Sequence, residues 1–369
     1  MNNKLRDSNF ELLRIVCMMM IVALHLQGHG GALAQNKLDN INFFIANSIE
    51  SFSIVAVNCY ILVSGFYGID SKFRWSKYLN LYVQMLFYSI GISLIFWSTG
   101  IKEISIYGIV QAFFPIIMQT WWFMSVFLIL YLLTPYINKL LRVFDKRKIG
   151  ILILILFAVI VIWPSIPILN PIVLDGGYSL YYFIFLYIVG AYIKIFFNDK
   201  IFNKKIFFIV YIFSSIMLLG LNMGISIIVG HQKGIYSYNF ILVFISSIAL
   251  FIFFKELNIK SNIINKLSSL TLGVYLISDH PYIREWIYNY LGYSNHFNKN
   301  EFLLYTIFII FLIYIVTSII EYIRQSIFGY IKEIKILNKI KFQIFLYIKK
   351  KILNIINNMK KNAINIFYK

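Results

Sequence analysis

The chain has 369 residues, of which 60% are hydrophobic and 13% are charged. A soluble domain of this length cannot cover so much apolar surface, and the apolar content also excludes a disordered chain. The net charge of +19 comes from lysines and arginines placed between apolar segments, which argues against a nucleic-acid-binding face. Two cysteines, Cys17 and Cys59, provide neither a disulfide framework nor a zinc site. The composition therefore predicts a polytopic membrane protein.

Apolar segments long enough to cross a bilayer recur about ten times along the chain. They lie near residues 10–28, 44–67, 78–98, 120–138, 149–165, 178–197, 205–223, 238–254, 267–288 and 302–327. Lysine and arginine are concentrated in alternate loops, namely 68–77, 139–148, 198–204 and 255–266. By the positive-inside rule, these loops and both termini are cytoplasmic. We therefore predict an all-α transmembrane helix bundle of about ten spans, formed by residues 1–328.

The first span is the richest in ionisable residues. Each such residue costs about 2.5–3.5 kcal/mol at the bilayer centre, so it requires a partner, a water-filled cavity or a function. Arg14 and His25 are separated by three helical turns, which places them on one face about 16 Å apart along the axis. This face suits a substrate that enters from the cytoplasm and reacts deeper in the bundle. The alternatives are a snorkelling Arg14, an interhelical hydrogen bond of His25, and a simple pair between Glu11 and Arg14.

The ninth predicted span is interrupted in its outer half. Asp279 and His280 stand there, directly before a proline. They either orient His25 or bind a substrate, or they mark a kink whose freed carbonyls need partners. Arg284 and Glu285, a few residues further on, are expected to pair with each other at the outer interface.

Two segments lie outside the predicted spans. Residues 103–118 are apolar but too few to cross a bilayer, and we expect a re-entrant or interfacial helix. Residues 329–369 hold ten lysines and one glutamate, interleaved with isoleucine, leucine and phenylalanine. This pattern predicts a basic, amphipathic cytoplasmic tail that lies along anionic lipids. Recruitment of an acidic ligand is the alternative for the tail.

Several motifs resemble those of one family. Glu11-Leu12-Leu13-Arg14, followed after ten residues by His25, is similar to the Arg-x10-His signature of the acyltransferase-3 family of bacterial integral-membrane O-acyltransferases. Further landmarks occur in the family's order, and they are Ser64-Gly65-Phe66, Trp122-Phe123, Tyr131-Leu132-Leu133-Thr134-Pro135, Asn138, Gly190 and Thr271–Ile277. The resemblance extends from about residue 8 to residue 327.

The resemblance implies an acyltransferase of the bacterial cell membrane. Its members transfer an acyl group, usually acetyl from acetyl-CoA, to a hydroxyl of a cell-envelope or exported glycan. The implied general base is His25, and a covalent acyl-imidazole at the same residue is the variant. Asp279 and His280 are the further catalytic candidates, because they would orient His25 or bind the acceptor.

Coenzyme A is a polyanion, and the candidate ligands of its phosphates are Arg14, Arg74 and Lys77. The family's Arg-x-x-Arg pattern is Arg74-x-x-Lys77 in this chain, and lysine lacks the planar fork of arginine. Ser278 stands where the family often has histidine. No metal ion is expected. The expected partners are the acyl-CoA donor, a glycan or lipid-linked saccharide acceptor, anionic lipids at the tail and a second copy in a homodimer.

Other interpretations of the same residues remain open. A polytopic transporter or flippase of glycans or lipid-linked sugars would also place charges in a central cavity, although the sequence lacks the internal repeats typical of transporters. A membrane sensor or scaffold has no need to align Arg14 with His25. Consumption of a thioester distinguishes the enzyme from both. Ser64 and Gly65 are equally typical of close helix packing.

Overall fold

The computed structural model describes residues 8–35, 37–166, 175–197, 199, 202–232, 234–333 and 343–353. In this part of the chain the regular structure is helical throughout, which confirms the predicted all-α bundle. The helices are α1 (Asn9–His29), α2 (Ile41–Ser53), α3 (Ala56–Gly68), α4 (Trp75–Ser98), α5 (Ile106–Phe113), α6 (Trp122–Val143), α7 (Lys146–Phe157), α8 (Leu180–Phe196), α9 (Lys204–Val229), α10 (Ile241–Lys255), α11 (Asn262–Ser268), α12 (Thr271–Ser278), α13 (Pro281–Tyr290) and α14 (Phe302–Glu333).

Each of the ten predicted spans corresponds to a helix or to a pair of consecutive helices. Seven are long and apolar enough to cross a membrane, and these are Asn9–Gln35, Ile41–Gly68, Trp75–Ser98, Trp122–Val143, Lys146–Ser165, Lys204–Val229 and Phe302–Phe328. Helices α8 and α10 are shorter apolar helices. The predicted span 267–288 is broken into α12 and α13, because Pro281 starts a new helix. The chain is a multi-pass membrane protein.

Polar side chains mark several helix starts. Ser105, Asp145, Ser179 and Ser261 each accept a hydrogen bond from a backbone N–H in the first turn of α5, α7, α8 and α11. Such caps satisfy donors that the helix itself leaves unpaired. Helix α5 has eight residues, a length of about 12 Å, which is too short to cross a bilayer. The re-entrant or interfacial position expected for residues 103–118 stays a prediction.

The chain divides into two compact units, residues 1–318 and residues 319–369. In the first unit, α1 contacts α2, α3 and the helices from α10 to α13, while α3 packs along α8 and α9 along α10. In the second unit, Arg324 pairs with Glu321 at 2.7 Å, and residues 343–353 are helical. Residues 334–342 and 354–369 lie outside the described part, so the amphipathic tail and its boundary at residue 329 stay predictions.

Candidate active site

A cavity of about 360 Å³ lies in the first unit, against the inner face of α1. Its walls come from α1, α3, α4, α6, α8, α11 and α12 and from the loop between α3 and α4. Arg14 and His25 both line it. The structure therefore brings the two residues of the first predicted span to one cavity, and the rise of α1 separates them by about 16 Å.

The cavity has a basic end around Arg14. Lys72, Arg74 and Lys77 also line the cavity, and Lys77 lies within electrostatic range of Arg14 and Arg74. The ammonium group of Lys77 lies 5.4 Å from the centre of the Tyr131 ring. The loop that carries these cations is one of those that the lysine pattern assigns to the cytoplasm. The three predicted phosphate ligands thus meet at one end of the cavity.

The guanidinium of Arg14 is paired with a buried carboxylate. Glu11 accepts hydrogen bonds from Nη1 of Arg14 at 3.0 and 3.3 Å, which confirms the expected pair. Ser268 donates to the Glu11 carboxylate at 2.5 Å, and the Tyr60 hydroxyl donates to the backbone carbonyl of Arg14 at 2.7 Å. The Glu11 side chain is buried, whereas that of Arg14 is 31% exposed. Because a guanidinium has five N–H donors, Arg14 keeps donors for a ligand in the cavity.

The imidazole of His25 faces a buried carboxylate. Nδ1 of His25 lies 3.5 Å from Oδ1 of Asp279, a separation slightly longer than an ordinary hydrogen bond. The same carboxylate oxygen accepts a hydrogen bond from Nη1 of Arg284 at 3.1 Å. That nitrogen also lies 3.2 Å from Nε2 of His29. With Nδ1 turned to Asp279, Nε2 is the ring nitrogen of His25 that is left for the cavity.

The break between α12 and α13 positions Asp279. Helix α12 ends at Ser278, and Nδ1 of His280 accepts a hydrogen bond from the backbone N–H of Tyr282 at 3.2 Å, which caps α13. The His280 ring packs against Trp121, with ring centres 5.6 Å apart. His280 is buried and is not among the residues that line the cavity. The structure thus brings Asp279, but not His280, to His25, and the predicted kink is confirmed.

The predicted pairing of Arg284 with Glu285 is wrong. Arg284 pairs with Asp279 at 3.1 Å, and Glu285 pairs with Lys102 at 2.8 Å. The reason is helical geometry, since consecutive residues on a helix point about 100° apart and do not face each other. Lys72 also lines the cavity. The sequence indicates only that it belongs to a cytoplasmic loop, because the positive-inside rule already accounts for its charge.

The described residues contain no group of three or more histidine, cysteine, aspartate and glutamate side chains that could hold a metal ion. Cys17 and Cys59 are free and buried. The side chains that line the cavity include imidazole, hydroxyl and cationic groups, and the carboxylates of Glu11 and Asp279 lie beside Arg14 and His25. Together these groups can bind a polyanion at one end and move a proton at the other.

Comparison with known proteins gives one match. The model of the acyltransferase-3 family, described as an acyltransferase domain, matches residues 7–322. This range includes every residue of the cavity. Searches of curated proteins and of solved structures found no match.

Proposed function

The chain belongs to the acyltransferase-3 family, and we propose that it transfers an acetyl group from acetyl-CoA to a hydroxyl of a cell-envelope or exported glycan. Family membership and the membrane helices make it a membrane acyltransferase in general. We further propose that it resides in the bacterial cell membrane and that its cavity residues have the following roles.

One observation carries the proposal, namely that a single cavity joins a cluster of cations to an imidazole. Arg14, Lys72, Arg74 and Lys77 line the cavity together with His25. Acyl transfer from coenzyme A needs both groups, because the donor has phosphates at one end and a thioester at the other. A transporter needs the cavity but not a base beside it. The arrangement therefore favours an enzyme.

The cationic end binds the donor phosphates. Arg14 supplies a guanidinium that Glu11 already orients, and guanidinium–phosphate hydrogen bonds are short and strong. Arg74 and Lys77 add charge from the first turn of α4. Lys72 supplements Lys77, which cannot form the bidentate contact of an arginine. The donor thus enters from the cytoplasmic side with its thioester directed towards His25.

His25 acts as the general base. The acceptor oxygen attacks the thioester carbonyl carbon while its proton passes to Nε2 of His25. The tetrahedral intermediate then expels the thiolate of coenzyme A, which takes the proton from the imidazolium. The products are the ester and free coenzyme A. The negative charge of Asp279, 3.5 Å from Nδ1, favours the tautomer with its proton on Nδ1 and a free Nε2, and it stabilises the imidazolium.

His280 takes a positioning role. Its side chain caps α13 and fixes the short bend that contains Asp279. This placement differs from a direct part in proton transfer, and it suits a residue that is buried away from the cavity.

The test is the variant His25→Gln, which preserves size and hydrogen bonding but accepts no proton near neutral pH. Surface glycans from cells that express either form are analysed for acetyl esters, and purified protein is assayed for release of the coenzyme A thiol. We expect the variant to assemble, to bind coenzyme A, and to transfer acetyl about 10²–10⁴-fold more slowly. The parent should also slow at low pH, where a protonated imidazole accepts no proton.

The matched control is His231→Gln, because His231 is exposed and lies outside the cavity. It should transfer at the parental rate. Near-parental transfer by His25→Gln would end the general-base proposal. Glycan export that depends on the protein without any change in acetyl content, and without thiol release, would favour the transporter.

A further inference from the structure

Two buried polar atoms on the cavity wall have no hydrogen-bond partner. Among the described residues that line the cavity, they are Nδ1 of His25 and the hydroxyl of Tyr275. Nδ1 of His25 faces the Asp279 carboxylate at 3.5 Å, slightly beyond hydrogen-bond distance. The Tyr275 hydroxyl has no acceptor in hydrogen-bond geometry among the described residues, and Oδ1 of the nearby Asp279 already accepts from Arg284. A buried hydroxyl without an acceptor costs free energy, so a donor of this kind beside a reactive imidazole points to a ligand.

Other hydroxyls of the cavity wall already donate to protein acceptors. Tyr60 donates to the backbone carbonyl of Arg14 at 2.7 Å. Tyr187 donates to the side-chain oxygen of Asn138 at 2.9 Å. Thr271, at the start of α12, donates to a backbone carbonyl at 2.9 Å. Among the described residues of the cavity wall, the buried hydroxyl without a hydrogen-bond partner is that of Tyr275, which has 5% of its surface exposed.

The fold holds the Tyr275 ring beside His25. The two ring centres are 6.2 Å apart, and the ring of Phe123 meets Tyr275 at 6.0 Å. The backbone carbonyl of Tyr275 accepts a hydrogen bond from the N–H of Asp279 at 3.0 Å. The last turn of α12 thus carries both the carboxylate behind His25 and the unpaired hydroxyl next to it. Asp279 lies near this hydroxyl but outside hydrogen-bond geometry.

We propose that Tyr275 is a catalytic residue whose hydroxyl donates a hydrogen bond to the acyl carbonyl oxygen of the donor. This inference rests on the proposed acyl transfer. When the acceptor oxygen attacks, a carbon–oxygen bond forms, the carbonyl π pair moves onto oxygen, and the acceptor proton passes to His25. Tyr275 keeps its own proton and stabilises the oxyanion. When the carbonyl reforms, the carbon–sulfur bond breaks and the thiolate leaves with the proton from His25.

A preorganised donor in a site that excludes water is effective in catalysis because it needs no reorganisation as the charge develops. The Tyr275 hydroxyl fits this description, since it is buried and no acceptor among the described residues lies in hydrogen-bond geometry with it. Removing it should therefore affect the reaction without affecting the fold.

The experiment compares Tyr275→Phe with Tyr211→Phe in purified protein. Tyr211 of α9 is the matched control, because it is equally buried, its hydroxyl donates to the backbone carbonyl of Phe52 at 2.8 Å, and it does not line the cavity. The measurements are the melting temperature, the affinity for coenzyme A, and kcat for thiol release from acetyl-CoA in the presence of extracted surface glycan. We expect Tyr275→Phe to melt and to bind coenzyme A like the parent, with kcat lower by about 10²–10³-fold. Tyr211→Phe should melt at a lower temperature, because it loses a hydrogen bond, and keep the parental kcat.

A parental kcat for Tyr275→Phe would overturn the inference and leave the proposed function intact. Absence of transfer by the parent would instead overturn the proposed function. A second measurement uses His25→Gln with bound acetyl-CoA labelled with carbon-13 at the carbonyl. The infrared stretch should lie below that of the thioester in an apolar solvent, and the shift should be lost in the double variant with Tyr275→Phe. If Tyr275→Phe does not assemble, an unshifted stretch in His25→Gln alone contradicts the assignment.

Discussion

The contact between α3 and α8 gives the sharpest prediction about the fold. A Cβ atom added at Gly190 would lie 2.3 Å from the backbone oxygen of Leu62 and 3.1 Å from the backbone nitrogen of Phe66. From the other side, a Cβ at Gly65 would lie 2.1 Å from the backbone oxygen of Tyr187. Backbone thus meets backbone in both directions, and no side chain can rotate to relieve the clash. The substitution Gly190→Ala must therefore push the two helices apart.

The expected change in the free energy of unfolding of Gly190→Ala is the sum of two opposing effects. An ordinary carbon–oxygen contact is about 1 Å longer than the 2.3 Å at Gly190, and overpacking of this kind costs about 1–3 kcal/mol or more. Alanine gains up to about 1 kcal/mol over glycine in a helix interior. The net expectation is destabilisation by about 1–2 kcal/mol. The shape of the cavity should change as well, because Tyr60 on α3 and Tyr187 on α8 line it.

The matched control is Gly91→Ala in α4, because nothing lies within 4 Å of its added Cβ. This variant shows the helix-propensity gain alone and should be as stable as the parent or slightly more stable. Thermal unfolding in detergent or nanodiscs measures both variants. The reasoning fails if Gly190→Ala melts at the same temperature as Gly91→Ala.

Two further predictions concern the donor site and the topology. If Arg14, Arg74 and Lys77 bind the phosphates of acetyl-CoA, Arg14→Met should raise the donor KM about tenfold or more. The more exposed Arg74 and Lys77 should give only a few-fold increase, and an unchanged KM in all three variants would remove this site. In intact cells, a cysteine from Glu103→Cys should react with an impermeant thiol reagent and one from Arg147→Cys should be shielded. The reverse pattern would invert the topology.

Much of the fold could be predicted because hydropathy and helix periodicity are local properties. The ten apolar segments all correspond to helices, and the break before Pro281 follows from the missing N–H and fixed φ of proline. Close packing at Gly65 was expected from the small residues there, and the contact with Tyr187 confirms it. The predicted spans 178–197 and 238–254 begin before α8 and α10, because aromatic residues, Tyr178 and Tyr238 with Phe240, precede the two helices and raise the local hydrophobicity.

The candidate site shows the same difference between local properties, which the sequence predicts, and helix packing, which it does not. Arg14 and His25 share a helix, so their common face and spacing could be derived from the helical repeat alone. The approach of Asp279 to His25 could not, because it depends on how α12 packs on α1. Helical geometry alone excludes the pairing of Arg284 with Glu285, whereas its pairing with Asp279 depends on the bend between α12 and α13.

The placement of both functional groups on α1 has a consequence for the proposed reaction. Backbone hydrogen bonds fix the distance from Arg14 to His25, so the binding of the phosphates determines how far the thioester reaches into the bundle. Contacts from neighbouring helices then set the orientation of the two side chains rather than the distance between them. Glu11 and Ser268 hold the guanidinium at one end, and Asp279 faces the imidazole at the other. A donor held by its phosphates is thereby positioned for attack without any further movement of α1.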